Sequence, residues 1–177
     1  IAGPLELSTK SRLIEMLSDT DPDVRFESAR ALVRRGYSVD DRPATTLFGL
    51  WDEPETHPLM MAAVINALVE SDLSVDFANR DLLPRLQRFL DHDRAEVREA
   101  VATAFARWPA MAALSVESLL PLLDDSEPIV REKIAYAFGR SGSGAESIRT
   151  ALQAACGDED TEVARIAAES LQMLAGK

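Results

Sequence analysis

Val130-Arg131-Glu132-Lys133-Ile134-Ala135-Tyr136-Ala137-Phe138-Gly139 decides how this chain folds, because the phrase returns along it. Its opening pair recurs as Val97-Arg98 and Val24-Arg25. Its small-then-large pair recurs as Ala104-Phe105 and Ala31-Leu32. A weaker copy has Val163-Ala164 and Ser170-Leu171. Val97, Val130 and Val163 stand 33 residues apart. One period before Val97 lies Met60, which keeps Ala67-Leu68 at the same offsets, and one period earlier lies Val24. Five units result, anchored at residues 24, 60, 97, 130 and 163. A fixed period of this size is the mark of a stacked repeat protein.

Each unit reads as two helices. In the second, apolar residues fall at offsets 0, 4, 5, 7 and 8 from the anchor: Val97, Val101, Ala102, Ala104 and Phe105 in the third unit. This is one face of a helix with 3.6 residues per turn. Thr20, Thr56, Asp93 and Ser126, four before the anchor, and Asp21 and Asp160, three before, are expected N-caps. Pro22, Pro58 and Pro128 fit the first turn, where a missing amide costs little. Gly36, Gly142 and Gly176 are expected to close helices in a left-handed conformation. The first helices are predicted over about 8–18, 43–51, 80–91, 115–124 and 145–156. Pro84 and Pro121 fall inside two of them, so a kink or a late start is expected there. The longest linker runs from Tyr37 to Pro43.

Composition narrows the function classes. The chain of 177 residues is 46% hydrophobic, 28% charged and 6% aromatic, which suits a single helical domain over 1–177. The net charge of −11 argues against nucleic acid and anionic membranes, since both need Lys and Arg to displace counterions. No apolar run approaches the roughly 18 residues that span a bilayer. Leu59 to Val69 comes nearest and is broken by Asn66. A single cysteine, Cys156, leaves no intrachain disulfide and no thiolate cluster, so a reducing, cytoplasmic compartment is expected. A chain opening on Ile1 is expected of a processed or excised piece.

The residues now carry a family likeness. Asp19 to Arg25, Asp125 to Arg131 and the closing Ala31-Leu32 with Gly36 resemble HEAT repeats. Val130 to Gly142 is most similar to the short HEAT-like repeat named from phycobilisome lyases. The second unit departs most: Met61 replaces the arginine, and Trp51 to Pro58 is an unusual loop. The resemblance implies an all-α, armadillo-like, right-handed superhelix of about five helix pairs, near 7–36, 43–72, 80–109, 115–142 and 145–176. It also implies a concave side lined by second helices that binds protein. Two other roles follow from resemblance alone. One is attachment of bilins to another protein, as in the lyases. The other is a DNA glycosylase built of such repeats, which the acidic balance disfavours most.

Candidate residues sort by offset. Arg25, Arg98 and Arg131 read as a structural ladder of ion pairs to the acids before each second helix, such as Asp19 and Asp125. Offsets 6 and 10 point away from the apolar stripe and disagree between copies. There Arg30, Arg34, Asn66, Thr103, Arg107, Tyr136 and Arg140 are the expected partner-binding residues. Arg and Tyr are enriched where interfaces hold most of their energy. Asp19, Asp21 and Asp23 have the alternate spacing of a calcium loop. Val24 and Arg30 stand where its glycine and glutamate should be, so capping is the expectation. His57 and His92 lack the His-Glu pairs of di-iron hydroxylases and are expected to be solvated in turns. Cys156 is expected to be a small buried group, and Trp51 and Trp108 core or rim. No catalytic constellation, metal set or cofactor motif is present in the sequence, which points to an interaction scaffold rather than an enzyme. Ile166 and Met173 face away from Val163 and Leu171, so a further repeat or self-association is expected at that end.

Overall fold

The computed structural model describes residues 4–35, 42–52, 57–70 and 78–176. Every regular element among them is helical, as expected. The chain divides into two compact units, Ile1–Leu73 and Ser74–Lys177.

The first unit holds α1 (Pro4–Met16), α2 (Pro22–Arg34), α3 (Arg42–Asp52) and α4 (Pro58–Val69). Helix α2 packs against α1, α3 and α4. Phe26, Ala29, Leu32, Leu47, Trp51, Ile65 and Leu68 are buried there. Gly36, Thr56, residues 37–41 of the linker and residues 53–56 of the unusual loop lie outside the described residues.

The second unit opens with a π-helical turn, Ala78–Leu82, that runs into α5 (Leu83–Gln87). Then come α6 (Ala95–Arg107), α7 (Pro109–Leu114) and α8 (Val116–Leu119). A 3-10 turn, Leu120–Asp124, leads to α9 (Pro128–Ser141), α10 (Glu146–Ala155) and α11 (Thr161–Ala175). Helix α9 is the centre of this unit, packed against α6 on one side and α11 on the other. Its Val130, Ile134, Ala135, Ala137 and Phe138 are all fully enclosed. The equivalent five residues of α6, Val97, Val101, Ala102, Ala104 and Phe105, are enclosed too. Burying one phenylalanine in such a seam contributes roughly 1.5–3 kcal/mol.

The prolines explain the broken first helices. Pro84 has no N–H to give to a carbonyl one turn back, so the α register starts at Leu83. Pro121 likewise coincides with the change from α8 to the 3-10 turn. Pro22, Pro58 and Pro128 open α2, α4 and α9, as their spacing predicts. Helix α7 was not anticipated. Its signal is Pro109 at a helix start followed by Ala110-Met111-Ala112-Ala113.

Small residues let the backbones of α9 and α11 approach. A Cβ added to Gly139 would lie 2.5 Å from Ser170 Oγ and 2.7 Å from Ser170 Cα. Gly142 ends α9 at φ 68°, the left-handed cap its position predicts. Gly176 corrects that expectation at the last helix: it sits at φ −86°, outside the left-handed region.

Candidate functional site: arginine rungs and the second-helix face

The turn before four of the five second helices is built from one recurring contact. Five residues before the anchor, a side chain accepts the N–H two residues on. Asp19, Asp125 and Asp158 do so through Oδ1, each at 2.9 Å, to Asp21, Glu127 and Asp160. His92 does so through Nδ1, at 3.1 Å to Arg94. Short polar side chains imitate a backbone turn in this way. It corrects two expected caps, since His92 and Asp125, not Asp93 and Ser126, accept these amides. Asp160 does cap α11, accepting from Glu162 and Val163. Asp21 accepts from Asp23 at 2.9 Å, so Asp19 and Asp21 serve the start of α2. His57 caps α4 by accepting from Leu59 at 3.2 Å.

Where an arginine follows the anchor, as Arg25, Arg98 and Arg131, it clamps that turn, and Arg98 and Arg131 reach into the next repeat. Arg25 donates to the carbonyls of Asp19 and Thr20 at 2.9 and 3.0 Å. Arg98 donates to the His92 carbonyl at 2.8 Å, and through Nε and Nη2 to both carboxylate oxygens of Asp125 at 2.7 and 2.8 Å. Arg131 donates to the Asp125 carbonyl at 2.7 Å and to both oxygens of Asp158 at 2.8 and 2.7 Å. In both rungs the carboxylate lies before a second helix, that of the following repeat, and the arginine's own turn contributes carbonyls. Paired forks of this kind are the strong form of the charged hydrogen bond. Both pairs are nearly enclosed. Burial opposes ionisation of Asp125, yet the hydrogen bonds from Arg98 and the Glu127 amide hold its carboxyl below the usual range. The Arg131 guanidinium holds Asp158 low against a smaller cost of burial.

The residues at offsets 6 and 10 lie on a different face. All five offset-10 residues are exposed: Arg34, Glu70, Arg107, Arg140 and Met173. At offset 6, Asn66 and Glu169 are exposed, while Arg30, Thr103 and Tyr136 are half-buried. In the first unit the cations are answered by acids. Arg30 pairs with Glu27 at 2.6 Å, and Arg34 with Glu70 at 3.4 Å. In the second unit they are answered by rings. Arg107 lies over Trp108 at 5.9 Å, and Arg140 over Tyr136 at 5.6 Å with a 3.3 Å contact to its hydroxyl. Among the described residues neither Arg107 nor Arg140 meets a carboxylate. The three arginines at offset 10 therefore divide into one neutralised member, Arg34, and two cations, Arg107 and Arg140, on adjacent helices α6 and α9. Trp108 is buried, so the ring beneath Arg107 is fixed in the core.

Other candidates fall away from any shared site. Cys156 is exposed as the residue that closes α10, which corrects its expected burial. Met173 is exposed and Ile166 half-buried on α11, beside Arg165, which pairs with Glu162 and Glu169. Among the described residues no cluster of His, Cys, Asp and Glu could hold a metal ion. No helix among them is long and apolar enough to cross a membrane.

No family model matches this chain. The human armadillo repeat-containing protein 3 is 28% identical over 127 aligned residues, covering 60% of this chain and 14% of that protein. The chain thus spans about one seventh of that relative's length. The crystal structure of an engineered protein superposes with a TM-score of 0.71 at 22% identity, covering 97% of this chain and 81% of the other. That likeness concerns the fold alone. Together with the repeat phrase and the stacked second helices, these comparisons make the chain an all-α helical-repeat protein of the solenoid class.

Proposed function

We propose that the chain is a protein-interaction module whose second-helix face in the 74–177 unit grips an acidic segment of a partner protein. The observation that carries this is the pair Arg107 and Arg140, exposed on neighbouring helices and unanswered by any described carboxylate in a chain of net charge −11. Aromatic rings hold both guanidiniums in place while leaving them solvated, so little side-chain entropy remains to be lost on binding. Packed helices lie roughly 8–10 Å apart. Two cations at one offset therefore suit two acidic groups at about that separation. Thr103 and Tyr136, half-buried at offset 6, supply neutral hydrogen-bonding groups beside them. The acidic remainder of the surface would repel an acidic segment docked elsewhere, which favours this register.

The test compares proteins captured from native lysate by the wild type and by two charge-reversed forms. Arg107→Glu with Arg140→Glu should lose the captured partners, and raising salt should do the same to the wild type. Arg30→Glu with Arg34→Glu should keep them, since those arginines are already neutralised. Equal capture by all three forms would remove the two arginines from the site. Chromophore attachment rests on the resemblance of the repeat phrase alone. A bilin mixed with the protein should leave its absorbance unchanged, and a shifted band would favour that role instead.

A further inference from the structure

The anchor valine is fully buried in the last three repeats, as Val97, Val130 and Val163, but Val24 of the first is only half-buried. Beside it lies an apolar cavity of about 320 Å³ between α1 and α2, walled by Leu13, Met16, Val24 and Ser28, with Asp23 and Glu27 as its charged members. Asp19, on the turn between the same helices, holds the position of Asp125 and Asp158. Its Oδ1 accepts the Asp21 amide as theirs accept Glu127 and Asp160. Asp125 and Asp158 each also receive a two-pronged arginine from the repeat before them. No described guanidinium reaches the Asp19 carboxylate.

We infer that this end of the 1–73 unit is an inter-repeat face, and that it takes a further helix pair of the same type. The incoming pair lays its apolar helix face on Leu13, Met16 and Val24. It points an arginine, one residue after its own anchor, at Asp19. The two enclosed rungs of this chain are the template, and the acidic Asp23 complements the incoming cation. A second copy stacked head to tail does not meet the requirement, because its last repeat carries Ala164 where the arginine should be.

The test grafts a copy of residues 109–144, which carries Val130 and Arg131, ahead of Ile1 in the full chain. Trp108→Phe leaves Trp51 as the reporter of the first unit. The graft should add helical signal and raise the Tm reported by Trp51 by at least about 4 °C. Asp19→Asn should lower that Tm several degrees more in the grafted chain than in the original. Arg131→Met within the graft should abolish the difference. A second graft built on residues 80–107, which carries Val97 and Arg98, should behave alike. If neither graft adds helical signal, or if the gain is indifferent to Asp19→Asn, the inference is overturned. Sedimentation of the ungrafted chain should give a monomer. A dimer lost on Val24→Asp would assign the face to a second copy and overturn it equally.

Discussion

Replacing Arg131 with methionine keeps much of the side chain's stem and removes the guanidinium. Arg131 and Asp158 are 8% and 10% exposed, so the substitution strands a carboxylate that water reaches poorly. It also empties the 2.7 Å contact to the Asp125 carbonyl. Breaking one side of a buried pair costs about 3–5 kcal/mol. Asp158 keeps the Asp160 amide at 2.9 Å, which places the expected loss near the lower end, about 3 kcal/mol. For a unit of this size that corresponds to a fall in Tm of about 12 °C. Urea unfolding followed by Trp108 fluorescence in a Trp51→Phe background reports the 74–177 unit alone, since each unit contains one buried tryptophan. Adding Asp158→Leu should recover part of the loss, because the stranded charge is then gone. The pH dependence has a definite sign. Arg131 depresses the Asp158 carboxyl, so its contribution is full above the ordinary carboxylate range and fades as pH falls through the lowered value. The gap between wild type and Arg131→Met should therefore narrow from about pH 4 downward. A gap under about 0.5 kcal/mol at neutral pH, or one that acid leaves unchanged, would refute the account of the rung as a buried, charge-dependent clasp.

Three further outcomes follow from the same geometry. Gly139→Ala should destabilise the second unit by about 1–3 kcal/mol in urea, and Ser170→Gly should not rescue it, because the Ser170 Cα is itself 2.7 Å from the added atom. Gly142→Ala should cost about 1–2 kcal/mol by the same assay, since an alanine must adopt φ near 68°; a neutral result would mean that the turn re-forms without the left-handed cap. Asp160→Ala should cost about 1 kcal/mol and speed amide exchange at Glu162 and Val163, the two N–H groups it caps.

The buried face was legible because it is local. Val97, Val101 and Phe105 share a helix face by their spacing, and Val130, Ile134 and Phe138 repeat it, so helix type and core side follow without knowledge of any neighbour. Pro22, Pro58 and Pro128 mark starts for an equally local reason, their lack of an N–H. Helix α7 was missed because six residues carry too little periodicity to stand out from a linker. The exposure of Cys156 was missed because its neighbours in space, rather than its place on α10, decide what covers it. The candidate site was legible only as a set of positions. Offsets 6 and 10 were marked as outward-facing, but the difference between Arg34 and Arg140 was not visible there.

What the sequence by itself determined is the repeat, the helix pairs and the identity of the inward face, since these depend on periods within one or two turns of chain. Tertiary structure decided which acid each arginine takes. Arg98 and Arg131 pass over their own turns, held there by carbonyls, and close on Asp125 and Asp158 of the next repeat. It also decided that Glu70 answers Arg34, while Arg107 and Arg140 stay unanswered among the described residues. Charges 27 to 36 residues apart meet only at the distance that helix stacking sets between neighbouring repeats, and no period along the chain encodes that distance.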